Sequence, residues 1–548
     1  MRLICLVLAT CLLAASEPVV PTPQAVPEGV FAVVIVPDLR ATLGRIELAA
    51  QALKPDSLPA GQLAEQLGAM VGDPGLAKLA AGASLIAIGP GGVAPNFAVI
   101  VPTSDPAAYV ATAQRQGMQA EAIGTLVVVG NKAADLALGK LVAKDHAGLG
   151  AAAITRDLRL LIAPQRIVAA YKPVLAGFSA MITAQLAKEP NGAMMAKIVG
   201  LEIVGLFAVA DDISNYQVDI GIEGTVIAAE HVLQAKSDSS LAQALIAPPL
   251  PDSTAIAARM GFDPGYLVTI GRYHPVGLSA WINDLLSRLQ KEPAGKELID
   301  DDLMAMVREW GDVTDGGFAM RLRAVGDQLM CLDGVSGLTD STRFMALNRR
   351  MFAAMSADGP IADFYRELGI GMSFTENTRA LGPIPVAKAA YTFDDAKLPA
   401  DEAEQMRKLM QDLEMACLPK AVVFANAPAD LDRLVAGGGQ PLPTAAEHAI
   451  GPGRDGYLDF DWLTLMKVSL QMNGAALGGM ADALAKLPPG EPMTSAWTAR
   501  DGRALGELRL PLKPFFDFAK AMQGAFGRQD QPNGEEPPPP PENAEQMF

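Results

Sequence analysis

The chain has 548 residues, enough for at least two domains, and its 50% hydrophobic and 19% charged residues fit a globular protein. Its 44 Lys and Arg face 61 Asp and Glu, giving a net charge of -17. A surface this acidic, with no compact basic stripe, repels phosphate backbones and argues against nucleic-acid binding; acidic membrane surfaces are disfavoured for the same reason.

The N-terminus reads MRLICLVLATCLLAASEP. Arg2 precedes an apolar run from Leu3 to Ala15, and small residues follow, so residues 1–15 are expected to be an export signal peptide. The run is too short for a comfortable membrane span. The competing expectations are an uncleaved anchor and a lipoprotein at Cys11, where Thr10 is a poor preceding residue. Residues 16–26, with Pro18, Pro21 and Pro23, are expected to form an extended spacer.

A first lobe is expected over 27–247. Phe31–Leu43 (FAVVIVPDLRATL) starts as an apolar run, breaks at Pro37-Asp38 and continues in a helical pattern, which is a strand feeding a helix. Val127–Leu136 and Leu158–Val168 repeat that pattern. Tyr216, Val218, Ile220 and Ile222 alternate with Gln217, Asp219, Gly221 and Glu223, the period of a half-buried strand in an antiparallel sheet. The stretch Ala247–Ser253 (APPLPDS) is the best boundary, and a second lobe is expected over 248–526. There Tyr266–Leu278, Val422–Leu431 and Tyr457–Leu465 are again strand–helix units, and Asp501-Gly502 signals a tight hairpin turn. Residues 527–548, with Glu535-Glu536 and Pro537 to Pro541, are expected to be a disordered tail.

The two lobes share more than their order of elements. Val127, Val128, Asn131, Ala134, Asp135 and Leu136 recur without a gap at Val422, Val423, Asn426, Ala429, Asp430 and Leu431. A shared pattern at a long offset predicts an internal duplication. The expected fold class is therefore α+β: two similar lobes, each an antiparallel sheet with helices on one face. Phe97–Tyr109 (FAVIVPTSDPAAY), Val127–Leu136 and Tyr457–Leu465 carry units of strand, Asp-capped helix and a VV-x-x-N-x-x-ADL-like segment. In these the chain resembles a loose group of uncharacterised bacterial exported two-lobed α+β proteins. The resemblance transfers no activity and no functional residue.

No catalytic, cofactor-binding or metal constellation stands out. Asp38, Asp105 and Asp340 each precede a helical pattern and read as caps, and Asp135 and Asp430 as first-turn residues. His146, His231, His274 and His448 have no metal-like spacing, and His231 is expected at the surface. His274, in Arg272-Tyr273-His274-Pro275, stands at a strand–helix junction. The segment Gly451–Gly456 spells GxGxxG, but a strand-like run follows it where a helix is needed. Asp459 and Asp461 are expected on one strand face with no third ligand. Cys331 and Cys417 sit among apolar neighbours, which suits buried thiols and a disulfide equally. Leu278, Trp281, Ile282, Leu285, Leu286 and Leu289 form one apolar helical stripe, and Met406, Leu409, Met410 and Leu413 another. The expected function is that of a non-enzymatic exported envelope protein, periplasmic or extracellular, which binds a protein partner or an apolar ligand and has no integral span after leader removal. The alternative is a hydrolase-like enzyme whose site assembles only in three dimensions, with His274 and a carboxylate as first candidates.

Overall fold

Each apolar run that breaks at a proline or polar residue becomes a strand entering a helix. Val33 and Ile35 lie in a strand that ends before Asp38, and the Asp38 carboxylate accepts the Ala41 N–H (3.0 Å) to start helix Leu39–Leu53. The computed structural model describes residues 20–526 apart from 56–57, 72, 93, 152–153, 189–191, 247–255, 257–258, 261–264, 326–327, 357–358, 399, 438–453 and 473–482. The expected leader, the boundary at 247–253, the tail, His448 and the first half of the GxGxxG stretch lie outside the described residues.

The strands of the first half are β1 (Ala32–Val36), β2 (Ser84–Gly89), β3 (Asn96–Pro102), β4 (Gln119–Ile123), β5 (Leu126–Gly130), β6 (Leu158–Ile162), β7 (Ile213–Glu223) and β8 (Val226–Ala235). Those of the second are β9 (Leu267–Arg272), β10 (Thr314–Val325), β11 (Gln328–Leu338), β12 (Ile370–Leu381), β13 (Ile384–Phe393), β14 (Leu413–Leu418), β15 (Ala421–Ala425), β16 (Gly456–Phe460), β17 (Met493–Arg500) and β18 (Arg503–Pro511). Among the described residues all pair antiparallel in one 18-stranded sheet. The halves do not form separate sheets, because β8 pairs with β18 edge to edge. Outward from that seam the order is β8-β7-β6-β1-β2-β3-β5-β4 in one half and β18-β17-β16-β9-β10-β11-β15-β14 in the other, which adds β13 and β12 at its margin.

Helices cover both faces of the sheet, not one as expected. Neighbouring Val422 and Val423 show why, since successive strand residues point to opposite faces. Val423 packs with Leu431 and Leu434 of helix Pro428–Ala436, while Val422 packs with Phe344 and Met345 of helix Ser341–Ser356. In the first half Val128, Ile100 and Leu85 form the core beneath Leu138 and Val142 of helix Ala133–Lys144. The Leu278–Leu289 stripe is also core: Leu278, Trp281 and Leu286 are buried. The second stripe is not one helix. Helix Ala400–Leu409 ends first, and Leu413 belongs to β14 opposite Ala389. The Asp412 carboxylate accepts the Tyr391 N–H there, fixing the change of direction.

The described part of the expected spacer, residues 20–26, packs against the fold. Val20 and Val26 are buried, Arg503 of β18 donates to the Val20 carbonyl (3.0 Å), and the Gln24 N–H donates to Gln217 (2.9 Å). Asp501 and Gly502 both have positive φ, 51° and 74°, as the predicted two-residue turn demands.

Two outcomes test this packing. The indole of Trp497 lies on bare backbone, and a Cβ at Gly456 would stand 1.9 Å from its Cζ2. Gly456→Ala should therefore lower the unfolding free energy by about 1–3 kcal/mol in denaturant titration. His231 is half-buried at the seam, its ring over Gly506 and 6.0 Å from Tyr216, and not at the surface as expected. Burial pushes its pKa below the ordinary 6.5. The unfolded chain thus binds the proton more readily, so stability present above pH ~6.5 is lost as pH falls through that value. Urea titrations from pH 8 to 5.5 should show this fall, and His231→Gln should remove part of it; equal slopes in both proteins would exclude the assignment.

Candidate functional site

A cavity of about 630 Å³ opens at the outer end of the second half, between β13, β14 and helix Ala400–Leu409. Its wall includes Gln328, Lys388, Arg407, Gln411, Asp412 and Asn426. Strand register places Lys388 opposite Glu414, and Lys388 Nζ reaches Asp412 at 2.6 Å. Arg407 pairs with Asp395 and lies 6.0 Å over the Phe393 ring. Glu414 receives Arg379 at 2.7 Å. Asn426 is structural: its Oδ1 accepts the Leu332 N–H (2.6 Å) and its Nδ2 donates to the Asp412 carbonyl (2.8 Å). With these charges already paired, the wall offers a ligand mainly the amides of Gln328 and Gln411 and the Tyr391 hydroxyl, which suit a neutral polar group.

Below this wall lies a buried charge cluster that sequence reading missed. Arg321 is fully buried and grips Asp333 through two bonds, 2.9 and 2.5 Å. Arg433 reaches Asp333 at 3.1 Å and donates to the Met260 carbonyl at 2.6 Å. Arg323 and Arg433 both pair with Asp430. Cys331 connects cluster and cavity, its thiol 3.3 Å from Gln328 Oε1 and 3.7 Å from Gln411 Oε1. Burial raises the thiol pKa of Cys331, and that of Cys417 to about 11. Both are free thiols, and they stay protonated at neutral pH, so neither has thiolate character. The available signal was Arg321 and Arg323 at strand spacing, with Asp333 in the partner run.

A second buried group repeats between the halves. Arg156-Asp157 precedes β6 and Arg454-Asp455 precedes β16. Asp157 pairs with Arg45 and accepts the Ile222 N–H (2.6 Å). Asp455 pairs with Arg272 (3.1 Å) and Arg500 (3.3 Å). Burial pushes Asp455 up to about 7, against the pull of both guanidiniums. Both carboxylates hold the neighbouring hairpin to the strand start, which is a structural task.

The residues singled out from the sequence are not brought together. His274 Nδ1 accepts the Gly277 N–H (2.9 Å), so its ring caps helix Pro275–Leu289 and holds no carboxylate there. Asp105 and Asp340 cap helices through the N–H groups of Ala108 and Arg343. Asp461 also caps, accepting from Thr464, while Asp459 accepts from the Tyr457 hydroxyl, so the two do not act as a pair. Asp135 accepts three backbone N–H groups, from Phe97, Asn131 and Lys132, whereas Asp430 is an ion-pair residue. His146 contacts the Ala83 carbonyl. Among the described residues no three His, Cys, Asp or Glu side chains cluster closely enough to hold a metal ion.

Among the described residues, an apolar surface on two interior strands is exposed. On β2 and β3, Ile86 and Val99 are cross-strand partners, and Phe97 lies two residues from Val99 on the same face. They are 38%, 40% and 49% exposed. Comparison with protein-family models, curated proteins and solved structures finds no match to this chain.

The charge cluster makes a prediction. Asp333→Ala removes the carboxylate that Arg321 holds in the core and should cost about 3–5 kcal/mol, while Arg321→Met with Asp333→Leu should recover most of it. Denaturant unfolding of both variants measures this; a single-variant cost below 1 kcal/mol would show that the cluster is solvated.

Proposed function

We propose that this protein is a non-enzymatic exported envelope protein that docks a protein partner on the open face of β2 and β3. The observation that carries this reading is the exposure of Ile86, Phe97 and Val99 in the interior of a sheet. Contiguous apolar surface of this kind, away from any edge, is what partner sites present. An apolar small ligand is the weaker reading, because the cavity at the outer end of the second half has a largely polar wall with Met410 as its one methionine.

We further propose that the two halves derive from an internal duplication. The registers support it. Val128 lies opposite Ile100 as Val423 lies opposite Val335, and Leu160 opposite Val218 as Leu458 lies opposite Ser495. At the seam Glu230 faces Glu507, so the two halves meet about a midpoint. Export through a leader at residues 1–15 and kinship with the exported two-lobed group belong to the same reading.

Photo-crosslinking in the native envelope tests the docking face. A benzophenone amino acid at Phe97 should give one dominant adduct. Ile86→Asp with Val99→Asp should abolish it and leave the thermal midpoint within a few degrees, since both side chains are already exposed. Absence of an adduct from Phe97, or its persistence in the double variant, would refute the proposal.

A further inference from the structure

A second apolar surface lies on the two long helices between β6 and β7. Helix Gly192–Asp211 is apolar around its whole circumference, yet among its described residues most are only half-buried. Such a helix is ordinarily enclosed by protein or lipid. It is held on one side, where a Cβ at Gly205 would lie 3.8 Å from Leu289 and Lys197 pairs with Glu297. On its other side it meets helix Pro164–Leu186, with Gly200 close to Thr183 (3.2 Å from an added Cβ). The exposed surface belongs to the later part of helix Pro164–Leu186, whose first part packs on β7 and sets the Tyr171 ring 5.7 Å from Phe31. Pro173 lies inside this helix, and its axis bends by 56° between Val174 and Ala176.

Val174, at the bend, and Phe178 and Met181, beyond it, are 48%, 55% and 58% exposed. Exposed Lys172 and Lys188 flank them. Between Pro164 and Asp211 the chain carries Arg166, Lys172, Lys188 and Lys197 against Glu189, Glu202 and Asp211, so this segment lacks the acidic excess of a chain of net charge -17. Surface charges act over roughly 8 Å in physiological salt, so the local sign governs what this surface meets. No single helix among the described residues is long and apolar enough to cross a membrane, and helix Pro164–Leu186 reaches that length and composition only as two segments bent by 56°. An apolar ridge between lysines matches the interface of an anionic bilayer, with alkyl and aromatic groups at the acyl boundary and ammonium groups at the phosphates.

We propose that helix Pro164–Leu186 docks the protein peripherally onto an anionic lipid surface through Val174, Phe178 and Met181, with Lys172 and Lys188 at the headgroups. This goes beyond the partner face on β2 and β3 and uses different residues. The full chain is tested by flotation with phosphatidylcholine vesicles, with and without phosphatidylglycerol. Binding should be about tenfold or more stronger with phosphatidylglycerol and weaken with salt. Phe178→Asp with Met181→Asp, and separately Lys172→Glu with Lys188→Glu, should each reduce it about tenfold. Every variant keeps the apolar N-terminal run, so the differences isolate the helix. A Phe178→Trp variant should shift its emission to the blue on adding the anionic vesicles, reporting burial independently. The proposal fails if the chain does not float with anionic vesicles, or if both double variants float like the parent. It also fails if Phe178→Asp with Met181→Asp instead breaks a concentration-dependent dimer, which would assign the ridge to a second copy.

Discussion

Nine consecutive residue pairs, from Arg503 opposite Gln234 to Pro511 opposite Val226, join β8 to β18 and make one sheet of two halves. Side chains alternate along a strand, so a slip of one residue would turn Ala228 and Val232 out of the core. The register places Glu230 directly opposite Glu507, an unfavourable like-charge pair. Arg454, 2.6 Å from Glu507, offsets that repulsion and brings in the residue next to buried Asp455. Apart from this seam, β8 and β18 would be long open edges. With it, β4 and β12 are the margins among the described strands.

Within this shared frame the halves differ chemically. One turn after Asp135 comes Leu138, whose methyl groups press on Gly89 beside Ala87 and Ala98. One turn after Asp430 comes Arg433, which bonds Asp333 beside Arg321. At this position the first half relies on apolar contact, and its buried Arg159–Asp219 pair lies elsewhere, between β6 and β7. The second contains a network in which each charge depends on its neighbours. Buried ion pairs contribute little net stability over apolar packing, but they penalise any arrangement that separates them. The network fixes helix Pro428–Ala436 against β10 and β11, and so fixes one side of the polar cavity.

The strand–helix units were legible because each carries its own local signals: an apolar run, a capping Asp or a Pro, and then helical spacing. Asp38, Asp105 and Asp340 cap as their positions predict. Helices on both faces were not legible, since Val422-Val423 reads as one apolar run and only tertiary contact shows that its members face opposite helices. Neither was Asp430. Its sequence context matches that of Asp135, but Arg323 and Arg433, remote in sequence or unremarkable beside it, change its role from backbone acceptor to ion-pair partner. Leu413 was misplaced because its spacing from Met410 fits a helix while the turn at Asp412 ends it. The surface-exposed apolar residues were invisible for a general reason: periodicity shows that a face is apolar, not whether anything covers it.

The second half offers a comparison for the open face of the first, by strand order alone. Its β10, β11 and β15 stand in the same order as β2, β3 and β5. There, helix Ser341–Ser356 lays Phe344 and Met345 over Val422 and Phe424, and the adjacent Gly334 backbone lies under the Phe424 ring. The strand arrangement therefore permits full cover, and the exposure of Ile86, Phe97 and Val99 is not imposed by the sheet. Polar side chains at those positions would satisfy the same backbone pairing, since ladder bonds do not depend on side-chain identity and these residues contribute little to the core while they remain exposed. Apolar residues kept on an exposed sheet face carry a cost in solubility, and that cost is the ground of our proposal that a partner covers them.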